Sequence, residues 1–290
     1  MAAAPIRFAI GRDDKVQILR FVPQSNLALL DPIFTGSQST VSHGHAVNDR
    51  LFGINKKFEP KPQMAAGHTI SGDGLTYLIT LRDGLKFHNN EPVRARDCAP
   101  GLARRAARED IGKTMWRYVE SCTAQDDRVI RIKMKTPIST FIDAISRGGA
   151  LVAFMMPEYL AKTDPYKKIP ETVGSGPYRV FKDEFVSGAA TAYARFDGYI
   201  SRQEPAEWTF GGKVAHFDRI EWKIIPDAAA AALQSGEVDW YEHVQPDQAP
   251  MLRAARILNS AWPTQRGSTV RCGSTTGTRL SIAPPCAVPC

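Results

Sequence analysis

Few residues in this sequence have the types and spacing that chemistry requires. His43-Gly44-His45 sets two imidazoles two positions apart, which on a strand would turn both to one face and suit a metal ion. Gly44 between them argues for a loop, and no third histidine or cysteine follows nearby, so both histidines read as polar loop residues and no metal is expected. Gly174-Ser175-Gly176 resembles a phosphate cradle, but it lacks the third glycine of a dinucleotide fingerprint, and Pro177 leads toward a strand rather than a helix. A tight turn closing a domain crossover is expected there. The carboxylate pair Asp126-Asp127 precedes a strand pattern and reads as a solvated turn. No G-x-S-x-G elbow, H-E-x-x-H helix or G-x-x-x-x-G-K-[ST] loop occurs, so no catalytic residue and no cofactor is assigned. His68, His216 and His243 have no partner that the sequence identifies.

Composition narrows the class. The 290 residues are 43% hydrophobic and 23% charged, enough for a sizeable core in one or two soluble domains. The net charge of +7 is spread among acids, and the densest basic cluster, Arg94 to Arg108, reads as the solvated face of a helix. Nucleic acid is therefore not an expected partner. No apolar run reaches the roughly 18 residues of a membrane span. The first residues, Met1-Ala-Ala-Ala-Pro-Ile-Arg-Phe8, show neither a long apolar core nor an arginine-led leader, so no signal peptide is expected in this stretch. Without C-x-x-C pairs, Cys98 and Cys122 are expected as small buried fillers.

The elements that would position these residues alternate between strand and helix. Strands are expected at Val16–Val22, Leu75–Leu81, Val129–Met134, Tyr178–Phe181, Ala190–Phe196, Phe217–Ile225 and Val238–Tyr241. Asp97 is the expected N-cap of a helix to about Arg108, with Pro100 in its first turn. Asp227 is the expected N-cap of an alanine-rich helix closed by Gly236. Trp222, Trp240 and Tyr241 fall on strand patterns and are core candidates. The mixture predicts an α/β or α+β protein.

Four segments, in order, resemble the family 5 extracellular solute-binding proteins, the dipeptide- and oligopeptide-binding group. They are Phe21-Val-Pro-Gln-Ser-Asn-Leu-Ala-Leu-Leu-Asp-Pro32, Asp73 to His88 continuing through Glu91-Pro92 to Asp97, Val173-Gly-Ser-Gly-Pro-Tyr178, and Ile225-Pro-Asp227 with Leu233-Gln-Ser-Gly-Glu-Val-Asp239. Asn89-Asn90 stands where the family usually has Asp-Gly, and asparagine tolerates the left-handed conformation such a turn needs. The resemblance implies an α/β, periplasmic-binding-protein type II-like fold: lobe I from residues 1–41 and 169–257, a small domain inserted at 42–168, and a second lobe missing. It implies that the stretch after Leu-Asp-Pro nears the ligand cleft, making Ser42, His43 and His45 the candidate substrate-binding residues. His88, within the Lys-Phe-His motif, is expected to bond locally at its turn. The function implied is capture of a peptide-like small solute, by a monomer serving the permease of an ABC importer, outside the cytoplasm. The rival readings are an α/β hydrolase, a non-transport cytoplasmic sensor, and a non-functional fragment of the binding protein.

The tail departs from all this. Residues 258–290 contain no Asp, Glu or Lys, yet hold three of the five cysteines. Joining the third base of each codon to the first two of the next, from Trp262 onward, permits a frame containing F-N-H, P-P-F and P-A-V-R-R-A. That frame resembles the family's following lobe. The tail is expected to be non-native, read out of frame, and its cysteines are assigned neither disulfide nor metal.

Overall fold

A computed structural model describes residues 16–225, 227–255 and 270–273. Its strands form two main sheets. The six-stranded sheet contains β1 (Ile18–Val22), β10 (Tyr178–Val180), β11 (Ala190–Arg195), β12 (Arg219–Lys223), β13 (Trp240–Val244) and β14 (Val270–Gly273). Their order is β10-β11-β12-β1-β13-β14. At its centre β1 runs parallel to both β12 and β13, while the remaining pairings are antiparallel. A central parallel strand is covered on both faces, and β1 shows why its sequence is continuously apolar at the end. Phe21 packs with Tyr193 and Trp222 on one face, whereas the neighbouring Val22 packs with Leu233, Tyr241 and Leu252 on the other. The second cluster sits under α6 (Ala229–Ser235) and α7 (Ala249–Ala254), and the first under α1 (Gln38–Val47), which contributes Val47.

The other body is built from residues between α1 and β10. A short pair, β2 (Asp49–Arg50) with β9 (Phe154–Met155), opens and closes it, followed in chain order by the hairpin β3 (Phe52–Ile54) with β4 (Pro60–Pro62). Its main sheet is antiparallel, in the order β5 (Ala65–Ile70), β6 (Thr76–Leu81), β8 (Val129–Met134), β7 (Val119–Ala124). The alternation that predicted β8 is literal: Ile130, Ile132 and Met134 are buried and Arg131 and Lys133 exposed. This face packs against α2 (Ala95–Arg108) through Cys98 and Leu102, with α3 (Asp110–Trp116), α4 (Phe141–Ser146) and α5 (Glu158–Ala161) around it. The crossing between bodies lies after Val47, so the expected boundary at 41/42 falls inside α1.

Two capping expectations are corrected. Helix α2 starts at Ala95, and Asp97 is its third residue; the carboxylate accepts from the Arg94 amide (2.8 Å) and from the Glu158 amide (2.9 Å). Pro100 therefore stands in the second turn. Helix α6 starts at Ala229 with Ala228 at the N-cap, leaving Asp227 just outside it, while Gly236 closes the helix at φ 77° as expected. Of the tail, only β14 is described; the rest of the out-of-frame reading lies outside the described residues.

Candidate functional site

The segment leaving β1 is anchored by an ion pair that the sequence did not advertise. Asp31, of the Leu-Asp-Pro motif, accepts from Arg104 at 2.7 and 3.2 Å, and both side chains are almost wholly buried. The same carboxylate accepts from the amides of Ile33, Phe34 and Ile169. It therefore ties the first strand's exit, α2 and the return crossing into one joint. The basic run 94–108 is in consequence not a solvated face. Arg104 also donates to the carbonyls of Thr163 and Lys167, and Arg105 to those of Leu151 and Ala144. Arg108 donates to the Phe34 carbonyl and lies over the rings of Phe34 and Tyr166. These long side chains act as crosslinks between loops, each bonded to backbone carbonyl oxygens.

Ser42, His43 and His45 lie on a helix, α1, rather than in a loop. Gly44 is there for contact: a Cβ would stand 2.5 Å from the Phe154 ring and 2.8 Å from Pro32. Helical geometry then separates the two histidines, since positions i and i+2 point about 200° apart. His43 is fully buried, its Nδ1 3.0 Å from the Tyr193 hydroxyl, and burial lowers its pKa to about 3. His45 stacks edge-on against Phe154 at 5.1 Å; burial first, then the nearby Arg50 and Lys213 charges, push its pKa well below the usual imidazole range. Both imidazoles are therefore neutral, and helix α1 corrects the expectation that they lie in a loop. Ser42 and His45 are partly buried, and His43 fully so. Among the described residues no group of three potential ligands could hold a metal.

The Gly174-Ser175-Gly176 turn joins the two bodies. A Cβ on Gly174 would overlap the Val47 carbonyl oxygen, and one on Gly176 would sit 2.7 Å from the Asn48 nitrogen. Ser175 Oγ donates to the Met155 carbonyl and accepts from the Asp49 amide. His88 serves this loop rather than its own turn: its backbone amide donates to Gly174 O at 2.9 Å, and its Nε2 lies 3.0 Å from Gly176 O. Burial lowers its pKa to about 4. Beside this joint, Asp49 is fully buried and accepts from Lys213 (2.9 Å) and the Tyr199 hydroxyl (2.8 Å).

What remains open to solvent near the parallel centre is the ledge beyond the carboxyl end of β1. Gln24, Ser25 and Asn26 are exposed there, while neighbouring residues pin the backbone. The Gln24 amide donates to Glu242 Oε2, Ser39 Oγ to the Ser25 carbonyl, and Thr40 Oγ1 to the Leu29 carbonyl. Crevices outside the carboxyl ends of parallel strands, where connections leave in opposite directions, are the ordinary ligand position in open α/β sheets. That rule applied to Pro23, which ends the strand, was the available sequence signal for the ledge.

An open mixed sheet with an exposed carboxyl edge, interrupted after its first strand by a second body, is the architecture of type II periplasmic binding proteins. The chain belongs to the bacterial extracellular solute-binding proteins, family 5, whose family model matches residues 59–276. It is 32% identical over 233 residues to the "Probable peptide ABC transporter periplasmic-binding protein y4tO" of Sinorhizobium fredii, covering 79% of this chain and 43% of that protein. Over 242 residues it is 29% identical to the glutathione-binding protein GsiB of Salmonella typhi, covering 81% of this chain and 44% of the relative. Among solved structures it resembles the ABC transporter substrate-binding protein CtaP of Listeria monocytogenes, with TM-score 0.62 and 25% identity, over 83% of this chain and 47% of that one. The chain thus spans less than half the length of the relatives it matches.

Proposed function

We propose that this chain is part of the solute-binding component of an ABC importer, taking peptide-like small molecules outside the cytoplasm and presenting them, as a monomer, to a membrane permease. The observation that carries this reading is the family match over residues 59–276 together with relatives named for peptide and glutathione binding. The exposed ledge Gln24–Asn26, with Ser42 and His45 as the partly buried candidates on α1, is the surface this lobe would offer to a ligand. The exposed polar side chains of Gln24, Ser25 and Asn26 suit hydrogen bonding to the main chain of extended peptides, which tolerates varied side chains. Family membership favours binding over the hydrolase reading. Among the described residues no helix is long and apolar enough to cross a membrane, so membrane delivery is assigned to the partner. Deleting the gene should abolish uptake of labelled di- to pentapeptides or glutathione, and the gene in trans should restore it. Unchanged uptake of all of these, or turnover of a peptide or ester by purified protein, would overturn the reading.

A further inference from the structure

A cavity of about 560 Å³ opens between β3, α3 and α4 of the inserted body and the segment around Trp208, which connects β11 to β12. None of its lining residues belongs to a strand of the six-stranded sheet or to the 23–48 segment. Ile54 and Met115 form apolar wall, and Phe58 and Trp208 stand at 5.7 Å from each other across one side. Asp143 and Arg147, four residues apart at α4, also line it, and neither has an ion-pair partner among the described residues. A pocket of this size, mostly apolar with a few convergent polar groups, is the usual form of a small-molecule site.

The backbone supplies an independent observation. Four non-glycine residues among those described have positive φ, and two are the cavity's aromatics, Phe58 at 63° and Trp208 at 54°. Bulky residues rarely adopt this conformation, and it persists where surrounding structure enforces it. Here it is enforced. The Phe58 amide donates to the Asn55 carbonyl, Asn55 Oδ1 accepts from the Lys57 and Glu59 amides, and Thr209 bonds Ile54 from both its amide and its hydroxyl. Phe58 is nevertheless 59% exposed, so the strain holds an aromatic ring outward rather than filling a core.

We infer that this cavity is a second binding site, for a free amino acid with a large apolar side chain. Arg147 takes the carboxylate, Asp143 the ammonium, and the side chain lies against Phe58, Trp208 and Met115. An Arg fork matches a carboxylate in two hydrogen bonds, which sets the ligand's orientation. The inference stands apart from the transport reading, because no residue of the ledge takes part.

The probe is p-benzoyl-L-phenylalanine, a photoreactive zwitterion, irradiated with the full 290-residue chain and mapped by peptide mass spectrometry. Label is expected in the peptides containing Met115 and Trp208, competed by L-phenylalanine but not by N-acetylphenylalanine amide, which lacks both charges. Arg147→Glu should cut this labelling at least about tenfold with the circular-dichroism melt unchanged, since the side chain is exposed and outside any ion pair. Gly148→Met offers a second arm: a Cβ there has its nearest neighbours at 3.8 Å, Ile54 and Thr209, so the chain folds while the side chain occupies the cavity. Label confined to the 23–48 segment, no label at all, or labelling undiminished in both variants would overturn the site. The first of those outcomes would leave the transport reading intact.

Discussion

The Asp31–Arg104 pair shows how one carboxylate holds several chain segments together, and how costly its loss would be. Removing one partner of a buried pair strands the other charge in a low-dielectric interior, at a cost of roughly 3–5 kcal/mol. Asp31→Ala should therefore lower the unfolding free energy from urea titration by that much, with a lower midpoint, and more than Asp31→Asn, which keeps an acceptor for the Ile33 and Phe34 amides. A midpoint within experimental error of the parent would refute the joint. The buried imidazoles predict an acid limit. His43 and His88 have folded pKa values lowered by burial to about 3 and about 4, against 6.5 in the unfolded chain. The unfolded state therefore binds protons first as pH falls, so stability is full above pH 6.5 and is lost progressively down to about pH 3. Melting temperatures measured from pH 8 to 3 should fall across this window, and His43→Gln should flatten the slope relative to its own value at pH 8. An equal slope in the variant would show that His43 is not the proton acceptor. Reading Asp31 and the arginines correctly from sequence was not possible by periodicity. Their burial depends on partners 73 residues away, whereas a run of basic residues on one helix has the same pattern whether it faces water or a loop.

At the scale of elements, glycines served two purposes that look alike in a sequence. Gly236 supplies a left-handed backbone and was legible at the end of an alanine run. Gly44 supplies absence of a side chain inside a helix, so the histidines beside it read as loop residues although they lie in α1. Gly44→Ala gains about 1 kcal/mol of helix propensity but forces a methyl into Phe154 and Pro32, an overpacking cost of about 1–3 kcal/mol. A net loss of stability is expected, and a gain would mean that the contact relaxes freely. Gly174→Ala is the harsher case, because the obstacle is the Val47 carbonyl rather than a ring. It should uncouple the bodies and leave little soluble protein, while Gly67→Ala, with nothing near its Cβ, should express as the parent. Equal yields for the two variants would contradict the close approach. Strands were legible where one face meets water and the other the core, as in β8 with exposed Arg131 and Lys133 between buried neighbours. Helix starts were less so: Asp97 caps from the third position, and its reach back to Arg94 is a matter of side-chain geometry.

For the whole molecule, the decisive quantity is how much of a ligand one lobe can cover. Binding proteins of this architecture gain affinity from contacts present only when two lobes close, so the closed state is selected by the differential contacts of the ligand. The 290-residue chain spans 43–47% of the relatives it resembles, and its described ledge is a single wall. A peptide lying on Gln24–Asn26 would keep one face in water and would bear the loss of translational and rotational freedom against half the contacts. Calorimetric titration of this chain with di- to pentapeptides should therefore give dissociation constants of about 1 mM or weaker, near 4 kcal/mol of binding free energy. Saturable binding at micromolar peptide, with one ligand per chain and a monodisperse sample, would show that the ledge encloses its ligand without a second lobe. The proposed amino-acid cavity provides an internal control, since its walls, including the β11–β12 connection, are all present in this chain and need no closure. Retention of photolabelling there, alongside millimolar peptide binding, would locate the weakness at the ledge rather than in misfolding.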